Sequence, residues 1–349
     1  MSDTSSTRRR NAMRTRSSAS PTIGDVARAA GVSTATVSRI LNGVPNKATD
    51  ITAQRVHDAV EKLRYRPVQA GRSLSMMRSA VVALLTPDNR NAFYASIADA
   101  VQRGISATGN AMTLCNTRED PASQDAYIEE MRSHLVSGIV LLGAVRTPGL
   151  ERLLDDGPPV VFVNRKCPVD SDSPFVGIDN YGAGRDVARY FLDKGYVDCA
   201  ALHGPCMSSA SRERFEGFRD AMAAAGAALA GDRIVECDLT IESGYRQSQR
   251  LFERGQAPRA VFCGNDPIAY GLHRRCQELK FRVPDDIAIF GFDDNPLNEW
   301  LAPWLSTVHV PLEELGRQVS DVMRRLLEGS NEVPARTVLA HTLTIRSSA

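Results

Sequence analysis

Hydrophobic positions change their period once along this 349-residue chain, near residue 80. Before it, apolar residues recur at helical spacing. Ile23, Val26, Ala27 and Ala30 form one stripe, Val37, Ile40 and Leu41 a second, and Val56, Ala59, Val60 and Leu63 a third. Thr22 with Asp25 three residues on has the spacing of a capping box. Gly31 supplies a sharp turn, Ser33 an N-cap, and Asn42-Gly43 a stop. The third helix is expected to start near Thr49. The three stripes predict a small all-α head over residues 21–66, in which two helices meet at a tight turn.

After residue 80 short apolar runs alternate with amphipathic segments. The strand candidates are Val81–Leu85, Ala111–Cys115, Gly138–Leu142, Val160–Val163, Cys199–His203, Arg233–Cys237, Ala260–Gly264 and Ile287–Phe292. Between them lie helical patterns at 93–107, 121–136, 182–194, 211–225, 243–254 and 267–279, and a further stripe runs from Pro311 to Leu327. This rhythm predicts parallel, doubly wound sheets in a stretch long enough for two domains.

The head's second helix leaves Thr34, Ala35, Thr36, Ser38 and Arg39 off its apolar stripe. In a helix-turn-helix that surface meets base edges in the major groove. Arg39 has the fork that binds a guanine, and Thr and Ala methyls suit thymine. The competing reading of residues 22–43 alone is an ordinary helix–glycine–helix packing unit.

The following residues tip that balance. The clusters Asp25-Val26-Ala27, Gly31-Val32-Ser33 and Thr36-Val37-Ser38-Arg39, then Tyr65-Arg66-Pro67 and Arg72-Ser73-Leu74, stand in the order and spacing of the LacI family of bacterial transcription regulators. The chain resembles that family from residue 21 to about residue 346. The resemblance implies base reading by Thr34, Ala35 and Arg39, supported by Thr22, Ser33, Thr36, Ser38 and Asn42. It implies a hinge helix within 67–80 whose Leu74 is a minor-groove wedge. Gly71 departs from the family's usual Ala and costs about 1 kcal/mol in a helix interior.

For the body, the resemblance implies two α/β subdomains like those of periplasmic sugar-binding proteins (type I), with a ligand between them. The N-terminal subdomain is expected to take 81–180 and 310–332, and the C-terminal one 181–309 and 333–349. In doubly wound sheets ligands bind beyond the carboxyl ends of strands. Asp88, Asn164, Arg165, Asp179, Asn265, Asp266 and Asp293 fall there, although any one of them is more often a helix cap. By the resemblance, Phe93, Tyr94, Asn164, Arg165, Arg214, Asn265 and Asp293 line the cleft, with Asp179 a further candidate. Where purine-binding members carry Trp this chain has Arg165, and where galactoside binders carry Trp it has Leu239. Arg165 and Arg214 suit an acidic sugar; a neutral sugar or polyol fits as well.

Charge is divided. Residues 1–80 hold fourteen Lys/Arg against five Asp/Glu, a net +9, and the remainder holds 28 against 36, a net −8. That asymmetry places nucleic acid at one end. Residues 1–20, with five arginines among Ser and Thr, cannot bury a core and are expected to be disordered. They add nonspecific phosphate contacts or form a solvated tail; both readings stand. They lack the apolar region of a secretory signal. No apolar run reaches the ~18 residues of a membrane span, so a cytoplasmic protein is expected.

The seven scattered cysteines read as buried hydrophobes in a reducing compartment. His273 and Cys276, three apart on a helix, are too few for a metal site. The run Asp179-Asn180-Tyr181-Gly182-Ala183-Gly184 after an apolar strand hints at a dinucleotide loop but lacks its third glycine, since position 187 is Val. No cofactor, metal or catalytic residue is expected. An NAD-type α/β enzyme and a free solute-binding module are the disfavoured alternatives. The favoured reading is a DNA-binding transcription regulator, expected to repress. It would be a homodimer on a pseudo-palindromic operator, controlled by a sugar or sugar acid. A dimer is expected because no leucine heptad follows the last strand.

Overall fold

The computed structural model describes residues 21–41, 48–65, 79–253 and 256–349. The chain divides into two compact units, a head up to Ser75 and a body from Met76 onward. The expected roles of residues 1–20, Asn42, Gly71 and Leu74, and the hinge helix itself, lie outside the described residues.

The head contains α1 (Ile23–Ala30), α2 (Thr34–Leu41) and α3 (Asp50–Leu63). Thr22 and Asp25 make the reciprocal capping box, and Thr49 caps α3 by accepting the Thr52 N–H. Gly31 ends α1 in the left-handed region at φ 65°. A Cβ there would also sit 2.7 Å from Arg55 Nη2, which donates to the Ala30 carbonyl. Val26, Ala27, Ala30, Val37, Val56, Ala59 and Tyr65 close the core, with the other residues of the three stripes around it.

The body has two six-stranded sheets. The first comprises β1 (Val81–Thr86), β2 (Ala111–Asn116), β3 (Gly138–Leu141), β4 (Val160–Val163), β5 (Phe175–Ile178) and β11 (Arg336–Leu339), in the order β11-β5-β4-β3-β1-β2. The second comprises β6 (Cys199–His203), β7 (Ile234–Glu236), β8 (Ala260–Cys263), β9 (Ala288–Asp293), β10 (Ser306–His309) and β12 (Thr342–Thr344), in the order β12-β10-β9-β8-β6-β7. Every pairing is parallel except β10 with β12. Both sheets therefore reverse strand order beside their first strand, where doubly wound sheets hold ligands.

The connecting helices are α4 (Ala92–Ala107), α5 (Pro121–Ser133), α6 (Pro148–Asp156), α7 (Asn180–Asp193), α8 (Ser209–Ala224), α9 (Ile241–Ser248), α10 (Asp266–Glu278), α11 (Asn298–Leu301) and α12 (Leu312–Leu327). The helical pattern at 243–254 stops early, as α9 gives way to a 3-10 turn at Gln249–Leu251. β5, β10, β11 and β12, with α6 and α11, are additions to the periodicity reading.

The chain passes between sheets after β5, after β10, and again between β11 and β12. The expected third passage at 333 is corrected. Residues 336–339 pair in parallel with 175–178 and belong to the first sheet. Their burial alternates between exposed and half-buried, so this edge strand has no apolar run to reveal it.

Candidate functional site

In the head, the start of α2 presents Thr34, Ala35 and Arg39 to solvent, with Thr36 and Ser38 half-buried. Ser33 Oγ accepts the Thr36 N–H at 3.1 Å and lies 2.9 Å from the Thr36 hydroxyl. Thr22 Oγ1 donates to Asp25 at 2.7 Å. These hydroxyls fix the two helix starts, so the free surface of α2 is the Thr34–Ala35–Arg39 face.

In the body, loops from both sheets line a narrow, polar cavity. Phe93, Tyr94, Asn164, Arg165, Arg214, Asn265 and Asp293 all line it, and each is buried. It is continuous through Asn91, Tyr94 and Leu239 with a wider mouth bordered by Asp88 and Glu119. Phe93 and Tyr94 come from the first turn of α4, which Asn91 caps. Asn164 follows β4 at φ 64°, and Asp293 ends β9 at φ 106°. Both lie in the left-handed region, the kind of strained backbone that collects at binding sites.

The two arginines are already paired. Arg214 donates from Nε to Asn180 Oδ1 at 2.8 Å, and from Nη1 to the Gly264 carbonyl at 3.0 Å and to Asp293 Oδ1 at 3.1 Å. Its guanidinium lies 3.6 Å from the Phe292 ring centroid. Arg165 donates to the Tyr94 hydroxyl at 2.9 Å and to Glu119 Oε1 at 2.8 Å. Burial lowers Arg214 from its ordinary value, opposed by Asp293. Burial likewise pushes the Asp293 carboxyl up to about 6, opposed by Arg214, and raises the Tyr94 phenol. Desolvation pulls Arg165 down, yet Tyr94 and Glu119 hold it above its usual value.

Beside the cavity, Asp266 accepts from the Asn295 N–H, Asn298 Nδ2 and Thr307 Oγ1 at 2.7, 2.8 and 2.6 Å. Burial, with the Asp293 charge adding, raises it to about 7.

Asp179 is withdrawn from the site: it is exposed and caps α7 through the Gly182 N–H. Its neighbour Asn180, buried and holding Arg214, takes the position sequence reasoning assigned to it. Glu119 was also missed; it enters from the β2–α5 loop at φ 56°. Asn265 lines the cavity while capping α10. Asp88 pairs with Arg90 at 3.0 Å. Gly184, in the run that hints at a dinucleotide loop, has a packing role: a Cβ there would lie 2.0 Å from the Arg214 carbonyl. The ring of His273 stacks on Trp304 with centroids 3.9 Å apart, and Cys276 is buried with its thiol pushed up to about 12.

A helix-turn-helix head and a two-sheet body with a polar cleft define a DNA-binding transcription regulator. The model of lacI-family bacterial regulatory proteins matches residues 22–68, and that of the periplasmic binding protein-like domain matches residues 188–349. The ribose operon repressor of Escherichia coli (strain K12) is 33% identical over 94% of this chain and 99% of its own length. The transcriptional regulator DegA of Bacillus subtilis (strain 168) is 30% identical over 94% and 97% respectively. The solved complex of the transcriptional regulator CelR with cellobiose matches at 30% identity and TM-score 0.72, over 94% of this chain and all of the other. The chain belongs to the lacI family of bacterial regulatory proteins. It is a regulator rather than an enzyme. Among the described residues, no helix is long and apolar enough to cross a membrane.

Proposed function

We propose that the protein is a cytoplasmic repressor that binds a pseudo-palindromic operator as a homodimer. A small neutral sugar or polyol, held between the two subdomains of the body, sets its operator affinity. One observation carries the choice of ligand: each cleft arginine already has a carboxylate, Glu119 for Arg165 and Asp293 for Arg214. The cleft thus offers paired donors and acceptors with little net charge. A sugar hydroxyl suits such a pair, accepting from the guanidinium and donating to the carboxylate. A ligand carboxylate near Arg214 would meet the buried Asp293 charge instead.

The Tyr94 and Phe93 rings supply an apolar face. The similarity to a ribose operon repressor and to a cellobiose-bound regulator agrees with this class. Thr34, Ala35 and Arg39 are proposed to read bases, with Leu74 wedged into the minor groove. The specific observation behind a second reading, a sugar acid, is that Glu119 is half-exposed and free to leave Arg165.

A thermal-shift screen of the full chain with pentoses, hexoses, polyols and their acids separates these readings. A neutral sugar should raise the Tm, and Arg214→Ala should abolish the shift. Preference for sugar acids would overturn the neutral reading. A mobility shift on the promoter beside its own gene, with and without the hit, then tests the regulatory role.

A further inference from the structure

Three donor side chains outside the arginine-lined cavity converge at the carboxyl end of the second sheet. His203 ends β6 and Glu236 ends β7, and the two are register partners in this parallel pair. Cys206 follows in the β6–α8 loop, three residues after the histidine. One ligand atom from each of the three lies within 4.8 Å of the others. Two observations show that the cluster is held rather than accidental. The imidazole is buried and stacked on Phe215, with centroids 4.3 Å apart. The Cys206 backbone N–H donates to Glu236 Oε2 at 3.2 Å, which anchors the carboxylate beside the thiol.

The spacing suits a tetrahedral ion. Zinc bonds of about 2.1 Å to nitrogen and 2.3 Å to sulfur, at a tetrahedral angle, set N···S at about 3.6 Å. His203 Nδ1 and Cys206 Sγ are 3.9 Å apart. The donor set of one imidazole, one thiol and one carboxylate is borderline-soft, which selects zinc-class ions over calcium or magnesium.

We propose that His203, Cys206 and Glu236 form a binding site for a zinc-class divalent cation, with water as fourth ligand. Nδ1, Sγ and a Glu236 oxygen are the protein ligands. On binding, the thiol proton leaves to solvent as the S–metal bond forms. Binding also requires the imidazole proton to pass from Nδ1 to Nε2 by way of solvent, and the Nδ1–H contact with the Gly204 carbonyl, 2.8 Å long, to be given up to the ion. Cys206 and Glu236 are exposed, so the ion has an entry path. The site stands independently of which sugar the protein binds. The same loop carries Pro205 and Ser208, which border the cleft mouth and the cavity.

The test uses the full chain, reduced and stripped by chelator, titrated with Co²⁺ and then Zn²⁺. The expected result is one Co²⁺ per chain, with a thiolate charge-transfer band and the visible bands of a tetrahedral ion, both bleached by Zn²⁺. Cys206→Ser should remove the charge-transfer band and weaken Zn²⁺ binding by at least about tenfold, and Glu236→Gln should weaken it about tenfold. Both positions are exposed, so folding should survive, which circular dichroism checks. Cys167→Ser, at the half-buried thiol elsewhere, should change nothing. Absence of the band in the unaltered protein, its persistence in Cys206→Ser, or equal Zn²⁺ affinity in all forms would each overturn the proposal.

Discussion

Asp293 keeps a carboxylate in a place where burial alone works against its charge. Arg214, itself stripped of water, is what offsets that cost, and the two are 3.1 Å apart. Removing one member of such a pair leaves the other charge uncompensated, a loss of about 3–5 kcal/mol. Asp293→Asn should therefore lower the urea unfolding free energy by that amount and erase the ligand-induced thermal shift. A loss below about 1 kcal/mol would mean that Arg214 is satisfied by Asn180 and Gly264 alone. Asp266 makes a different prediction, about pH. Its folded pKa, about 7, lies above the ordinary carboxylate value of 3.8, so the native state holds a proton that the unfolded chain releases. Its contribution to stability is fully present below about pH 4 and is lost as pH rises toward 7. Asp293, at about 6, acts in the same direction over a narrower window. Asp266→Asn carries no charge at any pH and should lack this decline, so stability of the native protein relative to the variant should fall between pH 4 and 7. Parallel unfolding curves for the two proteins would refute the raised pKa.

At the scale of elements, Arg214 depends on how closely α7 packs on α8. Two glycines permit it: a Cβ on Gly184 would approach the Arg214 carbonyl, and one on Gly217 the Tyr181 carbonyl, each to 2.0 Å. The blocking atoms are backbone, so a side chain cannot swing aside. Gly184→Ala should push the helices apart, cost about 1–3 kcal/mol or more, and weaken ligand binding by displacing Arg214. Unchanged melting and ligand affinity would show that the helices separate freely. This packing also explains what the sequence could and could not disclose. The head was legible because its stripes, capping box and Gly31 are local signals. Central strands such as Val160–Val163 were legible because both faces are buried, giving an unbroken apolar run. The edge strand β11 was not, since its alternation is weak and its partner lies over 150 residues away. Within the body, strand-end logic named Asn164, Arg165 and Asp293, which line the cavity. It also named Asp179, which caps α7 outside the cavity while the adjacent Asn180 holds Arg214; a cap and a buried partner for Arg214 are neighbours on the same helix start, and spacing cannot separate them. Glu119 had no signal, as its approach depends on two consecutive left-handed residues, Arg118 at φ 55° and Glu119 at φ 56°.

For the whole molecule, the charge division separates affinity from specificity. A net +9 over residues 1–80 acts on phosphates of any sequence, and that term falls steeply with salt. Arg39 is exposed on the free face of α2 and is proposed to act on a base instead. The two roles leave different thermodynamic signatures. Loss of a phosphate contact weakens binding to all DNA and reduces the slope of log K against log salt by about 0.9. Loss of a bidentate base contact costs about 1–3 kcal/mol on the operator alone and leaves the slope unchanged. Arg39→Ala, measured by fluorescence anisotropy on operator and scrambled duplexes across a salt series, should show the second pattern. Equal losses on both duplexes with a shallower slope would make Arg39 a phosphate contact, and would pass base reading to Thr34 and Ala35, whose small side chains offer thymine methyl contacts but no guanidinium fork. That outcome would leave the head with affinity and little discrimination from hydrogen bonding, and operator choice would then have to come from DNA shape.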